Sequence, residues 1–167
     1  AAQTIDVITV NDPITPVLAE FIMKSIDESE EKSSECIIIQ MDTPGGLDLA
    51  MRDIIKKILS SEVPVVVYVA PGGARAASAG ALITLASHVA VMAPETNIGA
   101  ASPVALGGGK MDETMAAKIQ NDAAAYIESI AEKRKRNKEW AIKAVRESVS
   151  ISEQEALDSN VIDLVVE

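Results

Sequence analysis

Hydrophobic positions along the chain alternate between short apolar runs and longer stretches with helical spacing. The short runs are rich in β-branched residues and predict buried strands at Ile5–Val10, Cys36–Met41, Val65–Val69 and Val89–Met92. Between them, amphipathic helices are predicted from Thr15-Pro16 onward and through Met51–Leu59. The predicted apolar side of the first helix carries Val17, Leu18, Phe21, Ile22 and Ile26. Strands that alternate with helices in this way predict a layered α/β fold, with a mostly parallel sheet and helices on both faces.

The pattern changes after Pro103. A long helix is predicted from Asp112, with an apolar face of Met115, Ile119, Ala123, Tyr126, Ile127 and Ile130. A shorter helix around Trp140–Val145, a capping box at Ser152–Glu155 and a last strand at Val161–Val166 follow. The glycine run 107–109 is read either as a flexible cover for a nearby site or as an ordinary surface loop.

Composition narrows the classes of function. The 167 residues suit one domain, 1–167, with a single sizeable core. The chain as a whole is 48% apolar but only 2% aromatic, so this core is built mainly from aliphatic side chains and methionine. A net charge of −10 argues against nucleic acid and against anionic membrane surfaces as partners. The lone Cys36 excludes an internal disulfide and is read as a core thiol. With one cysteine and one histidine, we predict no metal site and no cofactor.

Ser78 is the first candidate for chemistry. It is the only polar side chain in the segment Ala76–Ala81, where a strand turns into a small-sided, apolar helix. At such a helix start the backbone N–H groups lack partners and stabilise negative charge. This is where a nucleophile would be placed, although a plain helix-capping serine is the other reading.

Two glycine-containing turns define the surroundings of Ser78. Pro44-Gly45-Gly46 and the Pro71–Ser78 turn both follow parallel strands, and ligands of open α/β sheets bind at the carboxyl ends of strands. The N–H groups of Gly46 and Ala79 could converge on one oxygen and form an oxyanion hole. Pro-Gly-Gly is also an ordinary turn, so this pattern alone leaves both interpretations open.

These segments carry a family resemblance. Asp42–Gly46 (DTPGG), Ala76–Ala81 (AASAGA), Asn97–Ala101 (NIGAA) and Ala117-Lys118-Ile119 together resemble the Clp-peptidase/crotonase superfamily. The closest resemblance is to the N-terminal protease domain of the NfeD (stomatin-operon partner) membrane serine proteases, relatives of signal peptide peptidase A. The resemblance extends over nearly the whole chain. It implies a Ser-Lys dyad, a homodimer, and an endopeptidase that cleaves apolar segments of membrane-associated partners such as stomatin.

The resemblance also has consequences for the location of the domain. Full-length members carry membrane spans, and no apolar run here approaches the roughly 20 residues that a span needs. We therefore expect a soluble catalytic domain excised from a larger, membrane-anchored protein. The resemblance places such a domain outside the cytoplasm.

The general base is assigned to Lys118 on this resemblance. His88, the only histidine, follows Ser78 by ten residues along one predicted helix, roughly 15 Å away, and cannot reach it. A Ser-His-Asp triad is thus excluded, and a carboxylate, a tyrosine or a lysine must act as base. Lys118 matches the family motif, and burial at the border of the apolar helix face would leave it a neutral amine.

A substrate groove is predicted beside these residues. Backbone edges at Gly45–Leu47 and Gly73–Arg75, including Ala74, should pair with an extended peptide. Leu47, Ala76 and Ile98 should line apolar side-chain pockets. Two rivals remain: a crotonase-type acyl-CoA enzyme, which needs no nucleophile, and a module that binds peptide without cleaving it.

Overall fold

A computed structural model describes residues 3–167 as one α/β unit. Its main sheet contains five strands, all parallel, in the order β1-β2-β3-β5-β8. These strands are β1 (Ile5–Val10), β2 (Cys36–Met41), β3 (Val65–Val69), β5 (Val89–Met92) and β8 (Leu164–Val165). The predicted fold class is confirmed, and four of the five strands lie where the apolar runs predict them.

Six α-helices complete the unit: α1 (Pro16–Glu31), α2 (Asp48–Ser60), α3 (Ala79–Ala86), α4 (Glu113–Lys133), α5 (Lys138–Arg146) and α6 (Glu153–Asp158). Thr15 caps α1, Asp112 caps α4, and Ser152 and Glu155 form the predicted capping box. None of the helices within residues 3–167 combines the length and the apolar character needed to cross a bilayer.

A second, smaller sheet was not predicted. It consists of β4 (Arg75–Ala77), β6 (Asn97–Gly99) and β7 (Ser150–Ser152). The central strand β6 pairs with β4 in parallel and with β7 in antiparallel orientation. The sheet lies beyond the carboxyl ends of β3 and β5, because β4 and β6 follow those strands along the chain. The small sheet therefore forms the support from which α3 begins.

Three sequence interpretations need correction. Val17 and Phe21 of α1 are exposed, and the buried side of that helix carries Ala19, Ile22, Ile26 and Ser29 instead. The predicted last strand shrinks to Leu164–Val165, since Val161 and Ile162 bury their side chains in the core before it. Cys36 is only half-buried, although that burial raises the pKa of its thiol.

Helix α3 is the most buried helix, with every residue from Ala79 to Ala86 inaccessible. Its last carbonyl groups accept hydrogen bonds from two arginines that follow α4. Arg134 donates to the Ala86 carbonyl at 2.8 Å, and Arg136 donates to those of Leu85 and Ser87 at 3.1 and 3.0 Å. Arg136 also pairs with Asp163 at 2.8 Å. The turn after α4 thus fixes the far end of α3.

His88 lies at that same end of α3, and its Nδ1 accepts a hydrogen bond from the Val65 N–H at 3.0 Å. Burial, and then the charge of Arg134, lower the pKa of His88 below its ordinary 6.5. The unfolded chain therefore takes up this proton at a higher pH than the folded chain does. We expect the free energy of unfolding to fall as the pH drops through about 6.5 toward the folded-state pKa.

Urea unfolding at pH 7.5 and 5.5 measures this effect, and an NMR titration of the single histidine gives its folded-state pKa. The His88→Asn variant keeps an oxygen that can accept the Val65 N–H but no longer titrates, so its stability should change less between the two pH values. An NMR pKa at or above 6.5 would contradict this prediction.

Candidate active site

Ser78 occupies the junction between β4 and α3 in a strained backbone conformation. Its φ of 53° and ψ of −118° lie outside the regions that residues with a Cβ ordinarily adopt. The Ser78 N–H donates to the Gly99 carbonyl at 3.0 Å, which ties this turn to the small sheet. Enzymes of the α/β-hydrolase class present a nucleophilic serine on a sharp strand-to-helix turn of this kind.

The Ser78 hydroxyl does not cap the helix that it precedes. No side-chain hydrogen bond to the start of α3 is present, and the hydroxyl contacts no other polar group of residues 3–167 at hydrogen-bond distance. The helix-capping interpretation is therefore not supported. The half-buried hydroxyl instead remains available to react.

The Gly45-Gly46 turn packs directly against Ser78. A Cβ placed on Gly45 would lie 2.7 Å from the Ser78 Cβ, so only glycine allows this approach, and Gly45 also has a φ of +118°. The Gly45 carbonyl and the Leu47 N–H both pair with Ile14. Between them, the Gly46 N–H has no acceptor among residues 3–167, and neither does the Ala79 N–H at the start of α3. Gly46 and Ala79, whose N–H groups are both unpaired, thus border the same groove as Ser78, and an oxyanion hole requires two such donors.

Replacement of Gly46 by alanine is expected to damage this arrangement. The added Cβ would lie 2.2 Å from the Ile14 carbonyl oxygen, so backbone must move against backbone. We expect a loss of about 1–3 kcal/mol in the free energy of unfolding. The displaced Gly46 N–H should also slow any hydrolysis at Ser78.

Urea denaturation of Gly46→Ala and of the matched variant Gly109→Ala measures the difference. Gly109 has an ordinary φ of −70°, and a Cβ there would meet nothing within 4 Å. Equal unfolding midpoints for the two variants would show that the Gly46 contact does not constrain the turn.

Ser78 and Lys118 line the same groove. This groove has a volume of about 720 Å³ and lies between the starts of α2 and α3, the first half of α4 and the segment 101–111. Leu47 also lies on the wall of this groove. Most of the other lining side chains are apolar: Met51, Leu82, Ala101, Pro103, Val104, Ala105, Leu106, Met111, Ile119 and Ala123.

The segment 103–111 contributes to this groove in a way that the sequence reading only partly anticipated. Val104 and Leu106 are 86% and 85% exposed beside the glycine run, and both face the groove. Two large apolar side chains next to consecutive glycines are the signal in the sequence that could have identified this segment as a groove wall.

Ala76 and Ile98 do not line the groove, which corrects the prediction. Both are fully buried, and they are paired neighbours in β4 and β6 of the small sheet. Their side chains belong to the core beneath Ser78. The prediction was wrong because it did not include the small sheet that takes up these residues.

The predicted pairing of Gly73–Arg75 with substrate is also not supported by the geometry. None of these residues borders the groove, and their backbone N–H groups already have partners. The acceptors are the carbonyls of Glu95 and Pro71 and the carboxylate of Asp42, for Gly73, Ala74 and Arg75 respectively. Of the two predicted edges, only Gly46 and Leu47 border the groove.

Lys118 lies on the first half of α4, which projects from the core. The side chain is exposed, as are its neighbours Met115 (49%) and Ile119 (36%), whereas the buried face of α4 begins at Ala124. Lys118 makes no salt bridge with any residue of 3–167. The burial expected for this lysine is absent in the single chain, so its desolvation requires something that covers the groove.

A charged cluster closes one end of the groove. Arg52 of α2 donates to Asp48 at 2.9 Å and to Asp122 of α4 at 2.6 Å. Its guanidinium also stacks over the Tyr126 ring, 4.2 Å from the centroid. This cluster joins α2, which follows Gly46, to the helix that carries Lys118, and sequence reasoning missed it because the partners lie far apart in the chain.

Besides Lys118, two carboxylates border the groove, those of Asp48 and Asp122, and both are paired with Arg52. His88 lies at the opposite end of α3 from Ser78 and does not border the groove. Across residues 3–167, no three His, Cys, Asp or Glu side chains cluster so as to hold a metal ion. Lys118 is therefore the basic side chain that shares the groove with Ser78, apart from Arg52, which stays protonated.

Comparison with known proteins gives consistent results. Residues 4–167 match the family described as the NfeD1b N-terminal domain. The chain is 39% identical over 167 residues to the membrane-bound protease PH1510 of Pyrococcus horikoshii. That match includes 99% of this chain but only 38% of the relative, so the chain spans well under half of that protein.

Solved structures show the same fold. A serine-to-alanine variant of the 1510-N membrane-bound stomatin-specific protease superposes with a TM-score of 0.92 at 37% identity, covering 99% of this chain and 81% of that one. A lysine-to-alanine variant of the same protease, in complex with a substrate peptide, gives a TM-score of 0.89 at 35% identity, covering 99% and 77%.

Proposed function

This chain belongs to the family of NfeD1b N-terminal domains, and we propose that it is the catalytic domain of a serine endopeptidase that uses Ser78 and Lys118 as a dyad. The observation that carries the proposal is the strained, uncapped Ser78 at the start of a buried helix. Lys118 borders the same groove, as do Gly46 and Ala79 with their unpaired backbone N–H groups.

The proposed acylation step uses these groups in a defined order. The neutral amine of Lys118 takes the hydroxyl proton of Ser78 as Oγ forms a bond to the scissile carbonyl carbon. The carbonyl oxygen becomes an oxyanion, which accepts hydrogen bonds from the N–H groups of Gly46 and Ala79. The protonated Lys118 then gives its proton to the leaving amine as the peptide C–N bond breaks, and an acyl-Ser78 ester remains.

Deacylation repeats the sequence with water. Lys118 takes a proton from a water molecule, whose oxygen attacks the ester carbonyl through a second oxyanion. Collapse of this intermediate returns the proton to Ser78 Oγ and releases the carboxylic acid product. Both steps need Lys118 as a neutral amine at their start.

Lys118 is exposed in the single chain, so the proposal requires that the groove be covered. A bound peptide would displace water from the apolar walls around Lys118, and the exposed Val104 and Leu106 could fold over it. We propose that the domain also acts as a homodimer, whose second copy would shield the projecting half of α4. Removal of water disfavours the ammonium and leaves the amine ready to accept a proton.

The proposed substrates are apolar polypeptide segments. The groove walls are made almost entirely of aliphatic side chains and methionines, which favour apolar residues on either side of the scissile bond. Because the 1510-N relative is described as stomatin-specific, we propose a stomatin-like membrane protein as the partner. We further propose that the domain is anchored to a membrane in its full-length protein and faces the extracytoplasmic side.

A serine-reactive fluorophosphonate tests the proposal directly. We expect one covalent adduct per chain, mapped by mass spectrometry to the peptide that contains Ser78. A peptide library should then show cleavage beside apolar residues. No adduct, together with peptide binding but no cleavage, would favour a binding module, whereas a preference for charged residues would contradict the proposed groove chemistry.

A further inference from the structure

The cluster of Arg52 with Asp48, Asp122 and Tyr126 has no role in the proposed dyad, although it includes a neighbour of Lys118 on α4. Lys118, Asp122 and Tyr126 stand one helical turn apart on the same side of α4. Asp122 is the titratable residue closest to Lys118 along this helix, since the other positions three or four residues away are Thr114, Met115 and Asn121. A lysine and an aspartate four residues apart on a helix attract each other and can pair, although the pair is weaker when the lysine comes first, as it does here.

They do not pair here, because Arg52 holds the carboxylate. Its Nη2 lies 2.6 Å from Asp122 Oδ2, while its Nε binds Asp48, and its guanidinium rests on the Tyr126 ring. The Arg52 side chain is 23% exposed, whereas that of Asp122 is 71% exposed. The arginine is thus fixed by three contacts, and the more mobile carboxylate is drawn to it.

Pairing with Asp122 would stabilise the ammonium form of Lys118, which cannot take a proton from Ser78. The charged residues that border the groove are Asp48, Arg52, Lys118 and Asp122. Their two negative and two positive charges balance.

Given the proposed dyad, we propose that Arg52 is a positioning residue that withholds Asp122 from Lys118. The geometry carries this proposal: the arginine occupies the one carboxylate on α4 that Lys118 could reach, and adds a positive charge nearby. Arg52 acts through Asp122 and does not touch the reacting atoms. An arginine that merely joined α2 to α4 would have the same contacts. In that case, removal of Asp122 as well would not restore the activity lost with Arg52.

The test compares pH–rate profiles for peptide hydrolysis by wild type, Arg52→Gln, Asp122→Asn and the double variant. In Arg52→Gln, the freed Asp122 should pair with Lys118. The basic limb of the profile should then shift to a pH that is higher by about half to one unit. At pH values below the limb, kcat should be about three- to tenfold lower than that of wild type. Asp122→Asn alone should leave the limb at or below its wild-type position. The double variant should return the limb to the wild-type position, because no carboxylate remains to capture Lys118.

Two results would overturn the proposal. A double variant as slow as Arg52→Gln would show that Arg52 acts as a tether, and an unmoved limb in Arg52→Gln would also overturn the proposal.

Arg52→Lys, which can hold only one of the two carboxylates, should give an intermediate shift and serves if Arg52→Gln does not fold. Arg146→Gln, an exposed arginine of α5 outside the groove, is the control for loss of positive charge. A wild-type chain without Ser78-dependent hydrolysis would overturn the proposed function, and this inference with it.

Discussion

Replacement of Ser78 by alanine is expected to abolish peptide hydrolysis, with a loss of about 10³-fold or more. No other hydroxyl stands between the Gly46 and Ala79 N–H donors in the described chain, so no neighbour can replace the nucleophile. Because the Ser78 hydroxyl caps nothing, its removal should change the free energy of unfolding by less than about 0.5 kcal/mol.

Initial rates on an apolar peptide, together with urea unfolding, measure both parts of this prediction. Ser60→Ala is the matched control, since Ser60 is exposed at the end of α2 and distant from the groove. Hydrolysis at the wild-type rate by Ser78→Ala would remove Ser78 from the mechanism. A large loss of stability would instead mean that the hydroxyl has a structural partner.

Lys118→Ala and Lys118→Arg should both lose several orders of magnitude in rate. Alanine removes the base, and a guanidinium remains protonated and cannot accept the Ser78 proton. The wild-type rate should rise with pH through a single basic limb, because only the neutral amine starts either chemical step.

The measurement is a pH–rate profile from about pH 6 to 10. Lys133→Arg makes the same change at the other end of α4 and should leave the rate unaltered. Near-normal activity in Lys118→Arg, or a flat wild-type profile, would assign the base to another group. Lys118→Ala should still accept the fluorophosphonate probe slowly, since the oxyanion donors remain.

The main sheet is predictable from sequence for a simple physical reason. A strand such as Val65–Val69, buried on one face and half-buried on the other, needs an unbroken apolar run. The shortness and β-branched content of that run favour a strand over a helix. The small sheet leaves no such signal. Its strands are three residues long, and the polar ends of Asn97–Gly99 and Ser150–Ser152 make sense only once they pair with each other.

The candidate site divides in the same way. Ser78 and the glycine turns can be proposed from sequence because local geometry requires small residues there. The groove cannot, because its walls come from segments that meet only in the folded chain. Helical periodicity also predicted an apolar face that includes Met115 and Ile119, and both side chains are exposed. The spacing of apolar residues predicts which side of a helix is apolar, but not whether another element covers that side.

The two arginines at the end of α3 give that helix an unequal pair of poles. A helix carries partial positive charge at its start and partial negative charge at its end, and the two fields partly cancel at a distance. Arg134 and Arg136 neutralise the negative pole through the carbonyls of residues 85–87, while the start at Ala79 is left without a capping group. The field that remains is that of a nearly isolated positive pole aimed at Ser78. In the proposed mechanism, the turn after α4 would thus increase the stabilisation that the start of α3 gives to the oxyanion, although that turn does not border the groove.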